Sequence, residues 1–446
     1  MRGYLSSSVG VVCATVLALP LTLPTNPASA LARPAEARPA APAAPAVPGA
    51  TQSLPLTPLP GDRTLGPAAE QGLYRPDVRH FSLVGVIWDN PDTELYGWVE
   101  VRTRAARDGR WSGWQDVETH NHEHAADLDS AERASGRVRG STAPLWVGDS
   151  NGVEVRVRAE GTGRALDAGA PLPSGLRLEL VDPGAAPAAP GRQGARALEP
   201  TEPDPSTEST ESEPESEPES PSDPEPEQAA ANADLAQRGV KRVKPFIGAR
   251  PKIITRRGWG ADESLRERGF VYTKTVKAAF VHHTASGNKY WCSQVPSVIR
   301  GIYRYHVLSS GWRDIGYNFL VDRCGNIYEG RAGGMTKPVR GAHTLGFNTN
   351  SMGIAVIGTF TNSKPSQNAV KAIARLTAWK LGLYGVNPNG KTYLTSGGGN
   401  LYRKGKNVRL NVISGHRDGF ATECPGRLLY GQLGTARKTA AKYQGR

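Results

Sequence analysis

The chain has 446 residues with 35 prolines and 51 glycines, more than one core usually organises and richer in turn residues than a single folded body. Its charge is lopsided: twelve acidic residues and no Lys or Arg lie between Glu199 and Glu227, whereas Arg238 to Arg446 carries 35 Lys plus Arg against 8 Asp plus Glu, a net of +27. A uniform globule is therefore excluded, and the basic C-terminal unit suits a polyanionic partner.

The first elements read as export machinery. Arg2 precedes an apolar run from Val9 to Leu23, and Ala28-Ser29-Ala30 supplies a small-residue cleavage pattern, so residues 1–30 are expected to be a secretory signal. The run is roughly fifteen residues, short of the about twenty that span a bilayer. A secreted or wall-associated protein without stable membrane insertion is expected. Loss of Cys13 with the signal leaves Cys292, Cys324 and Cys424, an odd number that implies one disulfide and one thiol with another task. Counting alone leaves the pairing open.

Residues 31–71 are rich in Ala and Pro and read as disordered. Residues 72–182 read as a small all-β, sandwich-like domain. Phe81–Trp88 is a continuous apolar strand, whereas the stretches starting at Trp98, Val153 and Leu176 alternate, and five of the nine tryptophans lie here. His120, His122 and His124 alternate within an acidic stretch containing Glu118, Glu123, Asp127 and Asp129. They read as a hydrated loop, since alternating histidines without a buried flank lack groups to orient them as ligands. Residues 183–244, an acidic Pro/Glu/Ser tract containing Glu-Pro-Glu-Ser repeats, cannot bury enough apolar surface to fold and read as a disordered spacer holding two folded parts apart.

Residues 245–446 alternate strands and helices. Strands are expected at 279–282, 317–321, 326–328, 353–357 and 411–414, and helices at 295–308 and 369–383, giving an α/β domain with a mixed sheet flanked by helices. Two of these strands end in histidine, His282-His283 and Gly415-His416, and Cys424 follows eight residues after His416. Side chains alternate along a strand, so only one of His282 and His283 faces a given site. Two His and a thiolate would leave a fourth tetrahedral position open, as catalytic zinc requires, although spacing alone leaves a polar rim equally open.

The segments Arg256-Arg257-Gly258-Trp259-Gly260-Ala261, Phe280-Val281-His282-His283-Thr284-Ala285 and Trp312-Arg313-Asp314-Ile315-Gly316-Tyr317-Asn318-Phe319 resemble the peptidoglycan recognition protein family, related to phage-type zinc N-acetylmuramoyl-L-alanine amidases. So do Gly341-Ala342-His343-Thr344, Asn350-Ser351-Met352-Gly353-Ile354-Ala355 and Gly415-His416-Arg417-Asp418. The resemblance covers the C-terminal domain alone. It implies zinc (Zn2+) held by His282, His416 and Cys424, with Tyr317 beside the attacked carbonyl. It also implies peptidoglycan and its muropeptides as partners. Recognition-only members usually replace the Cys, so Cys424 and Tyr317 give the enzyme pattern. Thr422 stands where some phage members have Lys. With Cys424 on the metal, the resemblance leaves Cys292 and Cys324 as the implied disulfide, which would stabilise the fold by about 3–4 kcal/mol.

In that setting zinc would lower the pKa of water to about 7, and Tyr317 and Thr422 could bond the developing oxyanion. Tyr317 as a packed hairpin aromatic is the plainer alternative. His283, His343 and Asn348 are expected to line a substrate groove, with His343 as a simple turn residue an equal alternative. Trp259, Trp291 and Trp312 could stack on sugars or fill the core. The leading expectation is a secreted zinc amidase, with a non-catalytic peptidoglycan-binding module second. Anionic wall polymers fit the positive charge, and nucleic acid is not expected, given export and the lack of a recognition motif.

Overall fold

The computed structural model describes residues 49–59, 70–160, 171–185 and 246–446. The expected signal sequence and the acidic Pro/Glu/Ser tract lie outside the described residues. Among these, no helix is long and apolar enough to cross a membrane.

The N-terminal domain is all-β, with every strand pairing antiparallel. Its axis is the long strand Leu145–Ala159, which pairs with Phe81–Trp88, Glu70–Arg75 and Gly97–Ala105. Phe81–Trp88 pairs on its other edge with Arg177–Asp182, which in turn pairs with Ala50–Pro55. Within the segment 31–71, expected to be disordered, Ala50–Pro55 and Thr57–Pro58 therefore form strands. Leu54 packs against the domain core and Leu56 is buried in it.

The C-terminal domain is built on a six-stranded sheet in the order Ile253–Ile254, Ile327–Glu329, Phe319–Val321, Ser351–Val356, Ala278–His283, Ile413–Gly415. Only the hairpin Phe319–Val321/Ile327–Glu329 is antiparallel. Helices Gln367–Gly382 and Leu433–Tyr443 cover one face. Ser366 caps the first of these, its hydroxyl accepting from the Ala369 N–H at 3.1 Å. Helix Val295–Arg304 lies on the other face and runs into a π-helical turn, Tyr305–Ser309, within the stretch expected to be one helix. A small hairpin, Lys391–Thr395 with Asn407–Asn411, was not anticipated from the sequence. Cys292 and Cys324 are joined, tying the start of the helix to the hairpin turn across 32 residues.

The two domains are not held apart. The apolar strand Phe81–Trp88 is buried throughout because its two faces serve different cores. Val84, Val86 and Trp88 point into the β-domain, whereas Leu83 and Ile87 pack with Val295, Val298, Ile299 and Ile302 of the helix. Gly85 sits under the Tyr305 phenol, where a Cβ would collide with the ring. The Tyr305 hydroxyl lies 3.1 Å from the Thr142 carbonyl and 3.3 Å from that of Val86, and the Ser309 hydroxyl donates to Glu179 at 2.8 Å. The helix is thus enclosed between its own sheet and the β-domain.

Because the two domains share this core, they should unfold together. Leu83→Ala is expected to lower the stability of the whole folded unit by about 2–5 kcal/mol. Denaturant melts followed by probes in each domain check this; a shift confined to the β-domain probe would refute the shared core.

Candidate functional site

The parallel strands Ala278–His283 and Ile413–Gly415 lie side by side, with Val281 opposite Gly415. Their ends therefore deliver His282 and His416 to one place. The tight loop after His416 returns Cys424 to the same spot. The Arg417 N–H donates to the Cys424 carbonyl at 3.1 Å, and the Cys424 N–H donates to the Thr422 hydroxyl at 3.1 Å. His282, His416 and Cys424 are buried, and one ligand atom from each lies within 4.8 Å of the others.

A fourth residue completes this group, and it comes from the other domain. His124 Nε2 lies 3.4 Å from Cys424 Sγ, its ring packs 4.5 Å from that of His416, and it belongs to the same cluster within 4.8 Å. The histidine stretch is thus not a hydrated loop. Glu123, His124 and Asp127 are buried, although His120 and Asp129 do remain exposed. The missing flank that argued against a ligand role in the sequence is supplied by the C-terminal domain.

The donors match a metal. With Zn–N at about 2.0–2.1 Å and Zn–S at about 2.3 Å, a tetrahedral site separates N from S by about 3.6 Å. The Cys424 Sγ separations from His124 Nε2 and His282 Nδ1 are 3.4 and 3.8 Å. Both ring nitrogens of His416 are buried without a hydrogen-bond partner, which a neutral core would not tolerate cheaply. Burial drives His124, His282 and His416 well below the usual imidazole range, so all three present the neutral, metal-binding form. Burial also pushes the Cys424 thiol up; a bound cation reverses this by holding the thiolate.

The other expected site residues fall into distinct places. Tyr317 is buried with its ring 5.5 Å from His282 and 5.9 Å from His124, and burial raises its phenol well above its ordinary range, keeping it a proton donor. His343 does not line a groove. It is buried behind His282, its Nδ1 3.3 Å from His282 Nε2 and 3.0 Å from the Thr344 hydroxyl, and burial followed by the nearby Arg331 lowers it to about 3. It fixes His282 so that Nδ1 faces Cys424. Asn348 is also buried, its Oδ1 accepting from the His343 and Thr344 N–H groups. His283 turns to the opposite side of its strand from His282, accepts from the Phe360 N–H at 3.3 Å, and lines a pocket with Glu118, His120, Thr422 and Cys424. Thr422 donates to Glu123 Oε1 at 2.7 Å and so faces the β-domain. Trp259 and Trp312 are core residues, and Trp291 is 76% exposed.

His343 would act on a metal held here through His282, and such supporting contacts typically change metal affinity by about 10–100-fold. His343→Ala should weaken zinc retention against a chelator by that factor; unchanged retention would remove the orienting role.

Comparison with known proteins agrees with this division. The N-acetylmuramoyl-L-alanine amidase family model matches residues 272–427, a span that holds His282, His416 and Cys424. The Rv3811 N-terminal galactose-binding domain-like model matches residues 39–204. The chain is similar to peptidoglycan-recognition protein SC2 of Drosophila melanogaster, 33% identical over 187 residues, covering 41% of this chain and 85% of that protein. It is likewise similar to peptidoglycan-recognition protein 1 of Holotrichia diomphalia, 32% identical over 186 residues, 41% of this chain and 79% of the relative. Among solved structures, peptidoglycan recognition protein LE in complex with tracheal cytotoxin shares 33% identity over 41% of this chain and 92% of its own, with a TM-score of 0.32.

Proposed function

This chain belongs to the peptidoglycan recognition protein family, and on that premise we propose that it is an exported zinc-dependent N-acetylmuramoyl-L-alanine amidase. Its substrate is the amide joining the lactyl group of N-acetylmuramic acid to the L-alanine of the peptide stem. The observation that carries this reading is the convergence of His282, His416 and Cys424 at adjacent strand ends, with both His416 nitrogens unpartnered. Recognition without turnover does not need a buried thiol beside two neutral imidazoles.

When bound, zinc supplies Lewis acidity to the scissile carbonyl and acidifies the attacking water. The chain's own residues do the rest. His343 holds His282 Nε2, which leaves Nδ1 free toward the metal. The protonated phenol of Tyr317 is close enough to this cluster to donate to the carbonyl oxygen as negative charge develops on it. Thr422, once released from Glu123, offers a hydroxyl two residues before the thiolate. Beyond the site, the net positive charge of the C-terminal domain draws the enzyme to anionic wall polymers.

Zinc content and release of peptide stems with new L-alanine N-termini from purified peptidoglycan test the proposal. The wild type should carry zinc, and Cys424→Ser should lose both zinc and release. Tyr317→Phe, made in the His124→Ala chain, should keep its zinc while release falls by about 10²–10³-fold relative to His124→Ala alone, as when an oxyanion donor is removed. If zinc-loaded wild type and a His124→Ala chain both bind peptidoglycan but neither releases stems, the protein is a recognition module.

A further inference from the structure

We infer that His124 is a fourth protein ligand of this metal, so that the β-domain segment 118–132 closes the site and holds the amidase latent. The inference rests on the zinc reading above and extends it to a residue outside the family-like domain. Zinc with four protein ligands is the closed arrangement of structural sites, whereas catalytic sites keep one position for water or substrate. Here the position that three ligands leave open is taken by an imidazole from another domain.

The segment is built to stay there. Asp127 is gripped on both carboxylate oxygens: Oδ1 accepts from the Gly346 N–H and from Asn348 Nδ2 at 2.8 Å each, and Oδ2 pairs with Arg340 at 2.7 Å. Asn348 Nδ2 also donates to the Ala125 carbonyl at 2.9 Å, and the Leu345 N–H donates to the Glu123 carbonyl at 2.9 Å. Further along, Glu132 makes a bidentate buried pair with Arg331 at 2.8 and 2.9 Å. Burial acts to raise the Glu132 carboxyl, but the Arg331 guanidinium outweighs it and keeps it ionised. Arg331, Arg340, Gly346 and Asn348 are thus engaged by the segment itself. Thr422 is occupied in the same way, by Glu123.

The test uses the full chain with cobalt in place of zinc, because cobalt reports its ligands by absorption. A thiolate-to-cobalt band shows Cys424 on the metal. Added azide then asks whether any position is exchangeable. The wild type should show the thiolate band and no response to azide. His124→Ala should keep the band, gain an azide-dependent spectral change, and lose metal to a chelator more readily by at least about tenfold, the low end for supporting contacts alone. Asp127→Ala, which leaves all four ligands in place, should gain a weaker azide response and serves if His124→Ala does not fold. Stem release should rise in both variants relative to wild type. A wild type that shows the thiolate band and already responds to azide as fully as His124→Ala overturns the inference and leaves the amidase reading intact. Absence of any thiolate band in the wild type overturns the metal reading itself.

Discussion

The arrangement of the His/Cys cluster depends on a contact remote from it, the packing of strand Phe81–Trp88 on helix Val295–Arg304. Leu83 and Ile87 contribute apolar surface to a core they share with Val295, Val298, Ile299 and Ile302. A shared core is not continuously deformable, so it fixes the β-domain in one position on the C-terminal domain. Once that position is set, the loop between Val117 and Gly140 has one place to lie, across the ends of the parallel strands. Gly85 permits the approach, since any side chain there would meet the Tyr305 ring. The hydrogen bonds from Tyr305 and Ser309 then make the docking directional as well as apolar.

At the cluster itself the electrostatics are consistent with one design. Three imidazoles are buried close together, and desolvation keeps all of them neutral. Charged, they would repel one another in a medium where unpaired charge is costly. Of the four clustered donors only the thiol can take on negative charge, and burial, with the Glu123 carboxyl nearby, opposes that charge until a cation arrives. A divalent cation held there would satisfy one of the two unpartnered His416 nitrogens, the thiolate and one nitrogen of each neighbouring imidazole together. The phenol of Tyr317, held protonated by the same burial, is left as a donor at the edge of the cluster.

Much of this was legible in the sequence because the information is local. Apolar strands ending in His282 and His416 imply two imidazoles at strand ends, and the Phe81–Trp88 run implies a strand covered on both faces. What covered its second face was not legible, because a helix more than two hundred residues away supplies it. For the same reason the segment around His124 read as hydrated. Glu123 and Asp127 look like surface acids until Thr422, Arg340 and Asn348 are placed against them. His343 misled differently. Its motif marked it as part of the site, but only the fold shows it standing behind His282. Strand Ala50–Pro55 was hidden by its Pro- and Ala-rich surroundings, since its place is set by pairing with Arg177–Asp182 and not by its own composition.

A ligand tethered in the same chain competes with substrate at a high effective concentration, set by the geometry of the tether. Here the tether is short and anchored at both ends, by the sheet at Val117 and by the Glu132–Arg331 pair. A muropeptide therefore cannot displace His124 by matching one interaction. On the latent reading the Asp127 contacts to Arg340, Gly346 and Asn348 must break as well, or the muropeptide meets only the small fraction of molecules in which the segment has already lifted. Apparent affinity falls in proportion to that fraction, however well the open cleft fits its substrate. Lifting the segment also need not undock the β-domain, because the shared core with helix Val295–Arg304 involves different residues. The domain can remain seated while its loop opens, which confines the motion to the stretch that faces the His/Cys cluster.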